Sequence, residues 1–287
     1  MKDLLRTEHL TRDDVELLLD TAAQFAAEPL RSKDALAHKS VAIYMTKPST
    51  RTRLASQTAV AHLGGSPIVL RGDDLQLGRG ESIADTARIF SGYCDAIIVR
   101  TFAQSDVDEL GKFSTIPVIN ALTDDDHPTQ LLADWLTIRE TFGKDVSGRK
   151  FVYLGDGNNM AQQAIETAQK IAAKSGATIE VTNDPESAAK DASVLYTDVW
   201  MSMGDPESEK QEKIKSLAPF AVTDALLSKT SKDSIFMHCL PAHRGEEVME
   251  SVIDGPKSVI WREAFHRRTT IQSLLFHLTR GEIKGSL

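Results

Sequence analysis

The chain has 287 residues, 41% of them hydrophobic and 26% charged, with a formal net charge of -8. That balance belongs to a globular protein with room for two domains, and the acidic surplus argues against nucleic acid, which needs a basic surface. Only two cysteines occur, Cys94 and Cys239, and their separation excludes a disulfide framework and any regular zinc spacing.

The longest apolar runs are strand-sized, such as Asp95 to Val99, far short of the ~20 residues a membrane helix needs. The opening Met1-Lys2-Asp3-Leu4-Leu5-Arg6 lacks the apolar core of a secretion signal, so a cytoplasmic location away from membranes is expected.

Helical patterns cover Leu4 to Phe25, Thr50 to Leu63 and Ser82 to Tyr93. They alternate with strand patterns at Val41–Met45, Pro67–Leu70, Asp95–Val99 and Pro117–Ile119. A long helix follows from Pro128 to about Phe142, then a polar break, Gly143-Lys144-Asp145-Val146-Ser147-Gly148. A second alternation places strands at Phe151–Leu154, Thr178–Val181, Val194–Thr197, Ile235–His238 and Val259–Trp261. The last helix is expected from about Thr269 to Thr279.

This order predicts an α/β fold of two domains, each a parallel sheet flanked by helices. The expected boundaries are 1–142, including the bridging helix 128–142, then 148–265, with 266–287 returning to the first domain. Ligands of open parallel sheets bind beyond the carboxyl ends of the strands. That rule selects the segments after Met45, Val99, Leu122, Leu154, Thr197 and His238.

Thr46-Lys47-Pro48-Ser49-Thr50-Arg51-Thr52-Arg53 follows the first strand and enters a helix. A helix start offers unpaired N–H groups and partial positive charge; the hydroxyls and Arg51 would add donors for a phosphate. The competing reading is an ordinary N-cap with solvated arginines. The segment lacks the glycine pattern of a P-loop, which argues against a nucleoside triphosphate. Arg100 and Thr101 end another strand, and Asp126-His127-Pro128-Thr129-Gln130 opens the bridging helix with Asp126 as its candidate cap. Taken together these segments carry cationic and neutral donors and few acids, which suits phosphate and carbonyl oxygens.

The glycine-rich turn Leu154-Gly155-Asp156-Gly157-Asn158-Asn159-Met160 admits a dinucleotide reading, but Met160 occupies the third glycine position of that fingerprint. On the residues alone Asp198 reads as a turn or cap, Trp200 and Met203 as core, and Cys239 as a small buried hydrophobe.

With Ser49-Thr50-Arg51-Thr52-Arg53, His127-Pro128-Thr129-Gln130 and Met237-His238-Cys239-Leu240-Pro241, the sequence resembles the aspartate/ornithine carbamoyltransferase family. Asp198-Val199-Trp200-Met201-Ser202-Met203-Gly204 and the Cys239 loop match its ornithine-using branch. The resemblance runs from the N-terminus nearly to the C-terminus.

It implies transfer of a carbamoyl group from carbamoyl phosphate to L-ornithine, giving L-citrulline and phosphate, with no cofactor and no metal. It implies homotrimers, or multiples of trimers, with active sites shared by subunits. Ser49, Thr50, Arg51 and Thr52 would hold the phosphate, joined by Gln76 from a neighbouring subunit. Arg100, His127 and Thr52 would polarise the carbamoyl oxygen. Gln130 and the carbonyls near Cys239 and Leu240 would take the carbamoyl amide, and Arg267 would reach the same substrate. Asn159 and the backbone at Met203 would bind the α-carboxylate of ornithine, Asp198 and Ser202 its α-ammonium, and Cys239 would sit beside the δ-amine.

Three departures from the family pattern stand out. One strand–helix unit is missing after the Asn159 helix, Phe265-His266-Arg267 replaces Glu-Asn-Arg, and Ala55-Ser56-Gln57 replaces Ser-Phe-Glu. Two alternatives follow: a carbamoyltransferase for another amine such as putrescine, or a catalytically weak anion-binding regulatory homologue.

Overall fold

The computed structural model describes residues 1–72, 80–155, 162–201, 208 and 210–285. By its internal contacts the chain divides into two compact units, Met1–Thr141 with Arg262–Leu287, and Phe142–Trp261.

In the first unit, runs of Val, Ile and Ala become strands, three of them buried on both faces as a parallel sheet covered by helices demands, while the edge strand Ser66–Arg71 is exposed or half-buried along its length. They are β1 (Ser40–Met45), β2 (Ser66–Arg71), β3 (Ala96–Arg100) and β4 (Val118–Leu122), all parallel, in the order β2-β1-β3-β4. Side chains alternate between faces. Ile43 and Ile98 join one core with Leu19, Leu132 and Leu275. Tyr44 and Val99 join another with Phe90, Val107 and Val118. The helices are α1 (Arg12–Ala27), α2 (Thr50–His62), α3 (Ile83–Tyr93), α4 (Gln104–Phe113) and α5 (Pro128–Phe142). Strand order reverses direction between β1 and β3, the switch point where such sheets leave a crevice.

The single helix expected from Leu4 to Phe25 is divided. Leu4 N–H donates to Val118 O and Leu4 O accepts from Asn120 N–H, both at 2.8 Å, so this residue extends the sheet beside β4. A 3-10 turn, Thr7–His9, follows. α1 then starts where Thr11 and Asp14 form a capping box.

The second unit holds β5 (Phe151–Leu154), β6 (Val194–Thr197) and β7 (Ile235–His238), parallel in that order. Its helices are α6 (Gln162–Ser175), α7 (Pro185–Ala189), α8 (Lys210–Leu217), α9 (Asp224–Leu227) and α10 (Glu250–Ile253). Val152, Leu195, Phe236, Val248 and Ile253 form its core.

Two expected strands are absent here. Thr178–Val181 has no regular structure, and Val181 is 65% exposed: the alternating pattern found no sheet neighbour to pair with. Val259–Trp261 shrinks to one bridge from Ser258 to Phe236, because helix α11 (Ile260–Leu278) begins at once, well before Thr269. Among the described residues no helix is long and apolar enough to cross a membrane.

Candidate active site

Register decides which strand ends meet in the first unit. Met45 pairs with Arg100, and Arg100 with Leu122, so the segments leaving β1, β3 and β4 lie side by side. Backbone bonds continue beyond the strands: Thr46 N–H reaches Arg100 O and Thr101 N–H reaches Leu122 O, each at 3.0 Å.

Ser49 is the N-cap of α2, accepting from Thr52 N–H at 3.2 Å, so the capping reading of this segment is correct. It does not exhaust the segment. The Ser49 hydroxyl donates to Thr52 Oγ1 at 3.2 Å, and the buried Thr52 Oγ1 also accepts from Arg267 at 3.3 Å. Thr50 opens α2 and Arg51, half-buried, follows it at the mouth of the helix.

Arg267, on α11, is 3% exposed and spans three partners of this unit. It donates to Gln130 Oε1 at 2.5 Å, to Thr129 Oγ1 at 3.3 Å and to Thr52. His127 Nδ1 lies 3.3 Å from the Thr129 hydroxyl. Burial, and then the guanidinium groups of Arg267 and Arg100, hold the His127 imidazolium well below its usual range, so the ring is neutral. A neutral imidazole between two arginines donates one hydrogen bond without adding charge. Arg100 itself is buried at the end of β3.

Asp126 is not the cap of α5. Its carboxylate accepts from Thr7 N–H at 2.5 Å and from Thr7 Oγ1 at 2.8 Å, tying down the N-terminal turn. Sequence reading also left three residues of this region without a role. Lys47 is paired with Asp124 and sits 4.4 Å above the Phe102 ring. Asp134 and Glu263 both accept from Gln130 Nε2, at 2.7 and 3.0 Å. Their only signal was spacing: Asp134 stands four residues after Gln130, and Glu263 four before Arg267.

In the second unit the pairs Leu154 with Thr197 and Thr197 with His238 align the three strand ends. Thr197 Oγ1 locks this alignment by donating to Leu154 O at 2.7 Å. Asp198 and Cys239 are the next residues along their strands. Cys239 Sγ donates to Asp198 Oδ1 at 2.8 Å, and Val199 N–H to the same oxygen at 2.7 Å. Cys239 is therefore only half-buried and polar in its contact, not a core filler, whereas Trp200 is core. Leu240 adopts a left-handed φ of 60°, costly for a residue with a Cβ. Its N–H donates to His238 Nδ1 at 2.8 Å, and His238 Nε2 faces the buried Glu247 at 3.3 Å. Gln76, Asn159, Ser202 and Met203 lie outside the described residues.

The two parallel α/β units thus carry, in one, a helix mouth lined by Ser49, Thr50 and Arg51 and, in the other, an acid–thiol pair beyond the strand ends. The chain belongs to the aspartate/ornithine carbamoyltransferase family: residues 2–140 match its carbamoyl-P binding domain and residues 159–278 its Asp/Orn binding domain. The resemblance carried by the three motifs is thereby confirmed. The ornithine carbamoyltransferase of Anoxybacillus flavithermus is 45% identical over 304 aligned positions, covering 96% of each chain. Those positions outnumber the 287 residues here, so that relative carries residues this chain lacks. The solved ornithine carbamoyltransferase of Pyrococcus furiosus is 42% identical with a TM-score of 0.91, covering 99% of this chain and 98% of its own. The anabolic enzyme of Campylobacter jejuni superposes with a TM-score of 0.90 at 35% identity, covering 98% of this chain and all of its own.

Proposed function

We propose that the chain transfers the carbamoyl group of carbamoyl phosphate to the δ-amine of L-ornithine, releasing L-citrulline and phosphate. The observation that carries this reading is Arg267 bridging Thr52, Thr129 and Gln130 beside a His127 held neutral. Such a set suits a phosphorylated carbonyl compound, and relatives of this length and identity bear the name ornithine carbamoyltransferase.

Attack of the amine on the carbamoyl carbon leaves negative charge on the carbamoyl oxygen. Arg100, His127 and Thr52 stabilise it, each strong donor contributing roughly 3–4 kcal/mol. Phosphate departs toward Ser49, Thr50, Arg51 and Thr52, with Gln76 supplied by a neighbouring subunit of a homotrimer. Gln130 and the carbonyls near Cys239 and Leu240 hold the carbamoyl amide. Asn159 and the Met203 backbone hold the α-carboxylate of ornithine, and Asp198 with Ser202 its α-ammonium. Cys239, bonded to Asp198, sits against the δ-amine, which resembles a lysine amine with an ordinary pKa of about 10.4 and must lose a proton to attack. The enzyme works in the cytoplasm without cofactor or metal.

The test is colorimetric detection of carbamoylated product with ornithine, putrescine, aspartate and N-acetylornithine offered in parallel. Product from ornithine, rising toward alkaline pH, is expected; product from putrescine alone, or none from any amine, defeats the reading.

A further inference from the structure

Gln130 sits at the centre of a buried cluster of three side chains within the first unit. Two helices each contribute a pair spaced by one turn: Gln130 and Asp134 from α5, Glu263 and Arg267 from α11. All four are buried, and Glu263 is fully so. Gln130 Nε2 donates to Asp134 Oδ1 at 2.7 Å and to Glu263 Oε1 at 3.0 Å, while Gln130 Oε1 accepts from Arg267 at 2.5 Å.

The chemistry of the neighbours fixes which end of the amide is which. Ionised carboxylates can only accept, and a guanidinium can only donate. Turning the amide over would put its oxygen against two carboxylates and its NH2 against Arg267. Every one of the three contacts would then become repulsive in a buried place, where unpaired polar atoms are most costly.

We infer that Asp134 and Glu263 are positioning residues that hold the Gln130 amide with its carbonyl as the acceptor end, and so select a carbamoyl NH2 over a methyl group at the same place. This rests on the proposed function, in which Gln130 meets the carbamoyl amide. Both amide hydrogens of Gln130 are spent on the two acids. Its oxygen accepts from Arg267 and keeps one further lone pair. A substrate NH2 satisfies that lone pair; a methyl group leaves it unmet.

Acetyl phosphate is the probe, since it keeps the phosphate and carbonyl and replaces only the NH2. The isosteric variants Asp134→Asn, Glu263→Gln and the pair together are compared with the unaltered chain. The readouts are the KM for carbamoyl phosphate, the inhibition constant of acetyl phosphate, and thermal unfolding. The double variant is expected to raise the carbamoyl phosphate KM about tenfold and change the acetyl phosphate constant less than about twofold. Should it fail to fold, the single variants carry the test, with a smaller split in the same direction. Equal loss for both phosphates, or loss for neither, overturns the inference. Failure of the underlying reading looks different: the unaltered chain would make no citrulline and acetyl phosphate would find nothing to inhibit.

Discussion

The two units organise their candidate residues in opposite ways. In the first, side chains bind one another: Arg267 joins Thr52, Thr129 and Gln130, each more than a hundred residues from it in sequence. In the second, among the described residues, Asp198 and Cys239 follow strand ends aligned by backbone pairing and are joined by an Sγ–Oδ1 contact. A multiply charged substrate calls for donors that need not reorganise when charge moves. A flexible amino acid is served by fewer fixed groups. The difference predicts that substitutions in the first unit act through a network, and those in the second act nearly one at a time.

Removing Arg267 should have the largest effect. Arg267→Ala leaves Gln130 Oε1, Thr52 Oγ1 and Thr129 Oγ1 without their buried donor, so unfolding in denaturant should show a loss of about 1–3 kcal/mol. Citrulline formation should fall on the order of a hundredfold. A variant with unchanged stability would show that the Arg267 contacts are not what holds this unit together.

Cys239→Ala should be milder. It breaks one thiol–carboxylate contact and should cost about 1 kcal/mol in the same unfolding measurement. A cost as large as that of Arg267→Ala would erase the contrast between the units.

The smallest expected effect is the pH dependence that Glu140 gives the first unit. Burial pushes the Glu140 carboxyl up, but bonds from Arg262 and His266 outweigh it and lower the pKa to about 2 from 4.5. A carboxyl depressed in the folded state adds stability above its unfolded value, lost as pH falls from about 4.5 toward 2. His127 has the same sign in a higher window: kept neutral when folded, it withdraws stability as pH falls below 6.5. Denaturant titrations from neutral to acid pH should find Glu140→Gln flatter than the unaltered chain below about pH 4.5. Parallel curves would show that this ion pair is too exposed to matter.

Much of the fold was legible in local pattern. Phe151–Leu154, Val194–Thr197 and Ile235–His238 are strands with the bounds their apolar runs suggested, and Ser49 caps α2 as one reading of its segment had it. The strand-end rule located Thr52, Arg100, His127, Asp198 and Cys239, because parallel sheets send their loops to one edge whatever the side chains are.

What local pattern could not decide was pairing. Leu4 reads as helix by periodicity but lies beside β4, Thr178–Val181 reads as strand but finds no partner, and α11 starts as soon as Ser258 has made its single bridge. Asp126 was spoken for by Thr7, and Gln130 was given its orientation by Glu263, 133 residues away. Apolar periodicity and turn chemistry act over a few residues, so the sequence by itself specifies elements and caps. Which acceptor a buried donor meets depends on how distant segments pack, and only the tertiary structure supplies that.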